Sequence, residues 1–213
     1  MSKINGPLFS LSAAGTIAKA LVYSSWRGVK YVRGHVVPAN PNTVAQQEVR
    51  GIFSTLSAMW NRAPSIFREP WTANAAGNPY TNRNKLVALN SAPLKNQTTL
   101  ANFVFSPGMG GAIPPASIVI TPGVGQLSVA VTAPSLPTGW TITAAQGACL
   151  LDGDPSPVLI RTPVAAEDTT SPYAVVFTGL TVALHRVGVW LKWTAPDLST
   201  RYSTAITGSG TPT

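Results

Sequence analysis

Leu184-His-Arg-Val-Gly-Val-Trp-Leu-Lys-Trp193 alternates strictly, with Leu184, Arg186, Gly188, Trp190 and Lys192 on one side and His185, Val187, Val189, Leu191 and Trp193 on the other. A period of two over ten residues is the mark of a β-strand, and one of its faces must be core. The side without full charges is the candidate, so Val187, Val189 and Leu191 are expected to be buried. Working outward, further β-rich runs bounded by turn residues lie at Ser117–Thr121, Gln126–Thr132, Trp140–Leu151, Val158–Thr162, Tyr173–Thr178 and Tyr202–Thr207. With Leu184–Trp193 they make seven short strands in about 100 residues, the spacing of a two-sheet sandwich.

Upstream of these strands the texture changes. Ser106-Pro-Gly-Met-Gly-Gly-Ala-Ile-Pro-Pro115 is dense in turn residues and reads as a hinge. Eleven basic and two acidic residues precede Ala101, a net +9, whereas four basic and five acidic residues follow, a net −1, which together give the chain's +8. The sequence therefore divides into a basic assembly module, residues 1–105, a hinge at 106–115 and a sandwich at 116–213. Of the 213 residues 45% are hydrophobic and only 10% charged, against about 25% in an average soluble domain, so much of the surface is expected to be covered by partners. Every apolar run is broken by Gly, Pro, Ser or a charge before reaching the ~18–20 residues a bilayer requires, and the first eleven residues do not read as a secretory signal. The single cysteine, Cys149, lies in a strand-like stretch and reads as a buried thiol.

Within the basic part, Thr43 and Gln46 have the spacing of a capping box, which starts a helix at Val44. Val49, Ile52, Phe53, Leu56, Met59 and Trp60 then form one apolar stripe, and Ala63-Pro64 ends it. Ser65–Asn74 and Thr81–Leu89 read as shorter helices or turns around Trp71 and Leu86. Ahead of the long helix, Ala20–Arg33 has near-alternating bulky residues divided by Arg27-Gly28, a β-hairpin. Met1–Lys19, rich in Ser, Ala and Gly, is expected to be an extended arm that orders against another subunit. The fold class is thus mainly β: a C-terminal sandwich with an N-terminal arm, hairpin and amphipathic helix.

Tyr23-Ser-Ser-Trp-Arg-Gly28, the Tyr31-Val-Arg33 strand, Asn40-Pro-Asn-Thr43 and a helix bearing Gln46 and Arg50 together resemble an N-terminal module of proteins common in phage and prophage genomes. The resemblance covers Gly15 to about Trp60; it implies a virus-related origin and no particular activity. Thr178-Gly-Leu-Thr-Val-Ala-Leu-His-Arg-Val-Gly-Val-Trp190 resembles the corner between the fifth and sixth strands of fibronectin type III-like domains, with Leu180 in the usual Leu position and His185 where a Tyr is usual. It implies an Ig-like sandwich.

Residues with catalytic potential do not assemble into a pattern. His35 and His185 fall in different parts of the chain with no Gly-x-Ser-x-Gly elbow, Asp152-Gly-Asp154 lacks the ligand spacing of a calcium loop, Glu167-Asp168 reads as a solvated turn, and Gly108-Met-Gly-Gly111 does not join a strand to a capped helix. No enzyme, metal or cofactor is expected. The candidate partner-binding residues are Tyr23, Trp26, Arg27, Lys30, Tyr31, Arg33 and Arg50, because Trp, Tyr and Arg dominate interface hot spots. The expectation is a virion structural protein, preferably a capsid decoration or cement protein present in many copies or as a homo-oligomer and bound to other virion proteins, assembled in the host cytoplasm. A neck, tail or baseplate position is the alternative. A different class, non-specific nucleic-acid binding by the basic half, is kept beside it.

Overall fold

The structure is a computed structural model that describes residues 2–3, 14–26, 29–37, 39, 42–95, 99–152 and 162–213. The chain forms two compact units, residues 1–43 and 44–213.

The first unit is an antiparallel sheet of β1 (Ser2–Lys3), β2 (Gly15–Ile17), β3 (Leu21–Trp26) and β4 (Val29–Gly34), in the order β1-β4-β3-β2. The expected hairpin is β3 and β4, registered from Leu21 opposite Gly34 to Trp26 opposite Val29; its Arg27-Gly28 turn lies outside the described residues. Met1–Lys19 departs from the expected extended arm where it is described, since β1 pairs with β4 and β2 with β3. The cause is a tight turn at Ile17–Ala20: Ala18 and Lys19 both take positive φ, 49° and 54°, and the Ala20 N–H donates to the Ile17 carbonyl at 2.9 Å. Two successive positive φ values give the turn the twist that antiparallel strands need.

The second unit has three layers. Three helices, α1 (Val44–Arg62), α2 (Ser65–Ala75) and α3 (Asn82–Leu94), form one. A sheet of β5 (Ser117–Gly123), β6 (Gln126–Thr132) and β9 (Ala174–Thr178), in the order β5-β6-β9, forms the layer on the far side. Between them lies a sheet in which β10 (His185–Thr194) pairs with β7 (Thr141–Leu151) on one edge and with β11 (Thr200–Tyr202) and β12 (Ile206–Gly210) on the other, while β8 (Val164–Asp168) pairs with β7. Consecutive strands change sheets between β6 and β7, between β8 and β9 and again between β9 and β10, which makes this an Ig-like Greek-key sandwich. The protein is mainly β, as its alternating runs require.

At its centre, along β7 and β10, the middle sheet is covered on both faces, and this alters the reading of β10. Val187, Val189, Leu191 and Trp193 pack with Leu127, Val129, Val175 and Phe177 in the sandwich core, as expected. Trp190 on the opposite face is buried as well, with Ala148, Leu150 and Tyr202, under Leu56, Met59, Phe67, Trp71 and Leu86 of the helices. The two cores therefore share one sheet, so the structural boundary falls at Thr43 and not at the proposed hinge. Residues 106–115 are a fixed strap. The Ser106 hydroxyl donates to the Ser203 carbonyl at 2.6 Å, Asn74 and Arg201 donate to the carbonyls of Gly108 and Gly110, and the Trp193 indole donates to the Ile113 carbonyl. With its carbonyls bonded to three different elements, the strap has no freedom to hinge.

The expected strand Tyr202–Thr207 is broken, its two ends belonging to β11 (Thr200–Tyr202) and β12 (Ile206–Gly210), and two further expected positions shift. The fourth sandwich strand is β8, Val164–Asp168, whereas 158–161 lie outside the described residues. The α1 stripe is buried only in its second half: Leu56 is 1% exposed, but Phe53 is 50% and Val49 40%.

Candidate docking surfaces

The partner-binding residues proposed from the sequence fall in both units. Cross-strand partners in an antiparallel sheet share a face, so Tyr23 lies beside Val32 on one face of the N-terminal sheet, with Lys30 beside Ser25. Tyr31 beside Ser24 and Arg33 beside Val22 lie on the other. Trp26 pairs with Val29, Arg27 lies outside the described residues, and Arg50 is exposed on α1 of the second unit. Each sheet face thus carries an aromatic ring and a cation, and the set is not one patch. Among the sheet residues whose burial is described, 15–17, 21–25 and 29–34, none is buried: Val22, Tyr23, Tyr31 and Val32 are half-buried, and Ile17, Leu21 and Val29 are exposed.

A polar cluster that the sequence did not single out joins the helices to the middle sheet. Glu69 on α2 accepts at Oε2 from the Gln146 amide (2.9 Å), the Lys192 ammonium (3.2 Å) and the Tyr202 hydroxyl (3.1 Å). The same Gln146 nitrogen donates to Glu167 at 3.1 Å, and its Oε1 accepts from the Trp190 indole at 3.0 Å. Burial alone would raise the Glu69 carboxyl, but the Gln146, Lys192 and Tyr202 donors outweigh it and hold the group below the ordinary glutamate value. Burial and the Glu69 charge push the Tyr202 phenol up, so it remains a donor. Glu69 and Tyr202 also line an open cleft of about 600 Å³ with Trp60, Arg68, Thr72 and Asn82. The carboxylate is ion-paired and supplied with three donors, which suits a layer-to-layer lock better than proton transfer.

The other candidate groups have structural partners. The Asp152 carboxylate is held by Arg186 at 2.8 Å and by the Leu100 N–H at 2.7 Å, while Asp154 lies outside the described residues. His185 is buried with Nδ1 2.7 Å from the Ala183 carbonyl oxygen, which fixes Nδ1 as the donor within the corner. Asp168 caps its own turn by accepting from the Ala174 and Thr170 N–H groups, which lower its pKa. Burial pushes the Cys149 thiol up to about 12, leaving it protonated and inert.

The helical layer has its own character. Residues 44–95 contain six basic residues and two acidic ones, and Glu69 is already paired with Lys192. No described helix is long and apolar enough to cross a membrane. No protein-family model matches this chain, and no curated protein does.

Proposed function

We propose that the chain is a non-enzymatic structural component of a bacteriophage particle, a capsid decoration protein that docks through residues 14–43. The observation that carries the docking half of this reading is that no sheet residue of the first unit is buried among those whose burial is described, whereas the second unit holds two hydrophobic cores of its own. A small sheet needs a covered apolar face to be stable, so Ile17, Leu21, Tyr23 and Val32 call for a surface to pack on. The virion half rests on the motif resemblance between Gly15 and Trp60. Other virion proteins are the partners, in a multi-copy arrangement, and a neck, tail or baseplate seat is the alternative position on the same particle.

The test is protein identification on purified, DNA-free particles from a phage that encodes this sequence. The chain should be present in many copies per particle. Its absence from intact particles would overturn the reading.

A further inference from the structure

The α1 stripe outruns the core that it packs on. Leu56, Met59 and Trp60 are buried, but the same stripe continues for about two more turns through Phe53, Ile52 and Val49, where it lines a groove with Ser91, Ala92 and Lys95 of and just beyond α3. Phe53 and Val49 are both exposed. The groove encloses about 170 Å³, close to the ~150 Å³ cavity that accepts a benzene ring. It therefore takes one large apolar side chain as a knob. Ser91 and Ala92 keep the α3 wall low, so another helix can approach to the usual 8–10 Å or so between axes.

Charge decides what kind of helix. Lys95 is the charged residue among those lining the groove, within a helical layer of six basic and two acidic residues. A second copy of this chain would offer the same groove with the same lysine, and a symmetric pairing would set Lys95 against its own counterpart. We infer that the α1/α3 groove is a docking site for an acidic amphipathic helix of another protein, with a Phe or Leu of that helix seated between Phe53 and Ala92 and its carboxylates facing Lys95. This goes beyond docking through the N-terminal sheet and does not rest on it.

The probe is a ~15-residue peptide with Leu and Phe at i, i+3, i+4 and i+7 and Glu elsewhere, compared with a twin carrying Lys for Glu, each titrated into the full chain by fluorescence anisotropy. The acidic peptide should bind at least tenfold tighter than its twin at low salt and weaken as salt rises. Phe53→Ser, which removes the exposed ring, and Ala92→Trp, which fills the groove, should each cost at least tenfold. Leu136→Ser, at an exposed position of the β6–β7 connection, should cost nothing. Equal binding of the twins, or affinity unchanged by both groove substitutions, would overturn the inference. So would preferential binding of a short DNA duplex that Lys95→Glu abolishes and Phe53→Ser leaves intact, the signature of a nucleic-acid surface.

Discussion

The ring of Phe105 lies where the Cβ of Gly188 would be: an added methyl would overlap Cγ, Cδ2 and Cβ of the phenylalanine. Gly188 sits on the helix-facing side of β10, so the absent side chain lets the chain between α3 and the strap pass between helices and sheet. Phe105 is held from above as well, with its carbonyl accepting the Trp71 indole at 3.1 Å and its ring edge-on to Phe103 at 4.9 Å.

Gly188→Ala should accordingly destabilise the second unit by about 1–3 kcal/mol, the usual cost of overpacking a filled core. Thermal melting of the variant checks this. An unchanged melting temperature would mean that Phe105 is free to move, against its two anchors.

The helix stripe makes a graded prediction. Leu56→Ala should cost about 2–5 kcal/mol because Leu56 is 1% exposed. Phe53→Ala should cost only about 1 kcal/mol, the part of a phenylalanine's transfer energy that a half-exposed ring retains. Denaturant melts of the two variants would show the order, and equal large losses would place Phe53 in the core after all.

The layer lock has a pH signature. Glu69 has its pKa lowered on folding by its Gln146, Lys192 and Tyr202 donors against the pull of burial. A depressed carboxyl contributes stability that is fully present above the unfolded value, about 4.3, and is lost as pH falls through the lower folded value. The full chain should lose stability more steeply below about pH 4.5 than Glu69→Gln, whereas at pH 7 the variant should be the weaker of the two. Parallel pH-dependence curves for the two proteins would show that the carboxylate does not hold the helices to the sheet.

Strands with a clear period were legible from residues alone. β6 coincides with its expected run, and β5, β7, β9 and β10 differ only at their ends, because alternation is a local signal. The second buried face of β10 was not legible: Arg186 and Lys192 looked like a solvent side, but their partners Asp152 and Glu69 are 34 and 123 residues away. β12, Ile-Thr-Gly-Ser-Gly, has little strand propensity, and it pairs because Gly208 and Gly210 leave room for Ile120 and Leu127. The β2–β3 turn was hidden because Ala18-Lys19 occupies positions where Asn and Gly are the usual residues. The charge boundary near residue 100 misled for a simple reason, since surface charge does not report which apolar stripe packs on which sheet. As for the residues proposed for docking, their types were readable, but the division of Tyr23 and Lys30 from Tyr31 and Arg33 depends on register, which the turn and not the composition sets.

Docking through the N-terminal sheet is tested most directly by removing it. A chain of residues 44–213 keeps both cores and should melt within a few degrees of the full protein's second unit. Mixed with particles stripped of this protein, the full chain should bind to saturation and residues 44–213 should not be retained. Retention of the truncated chain at the full chain's stoichiometry would contradict the account.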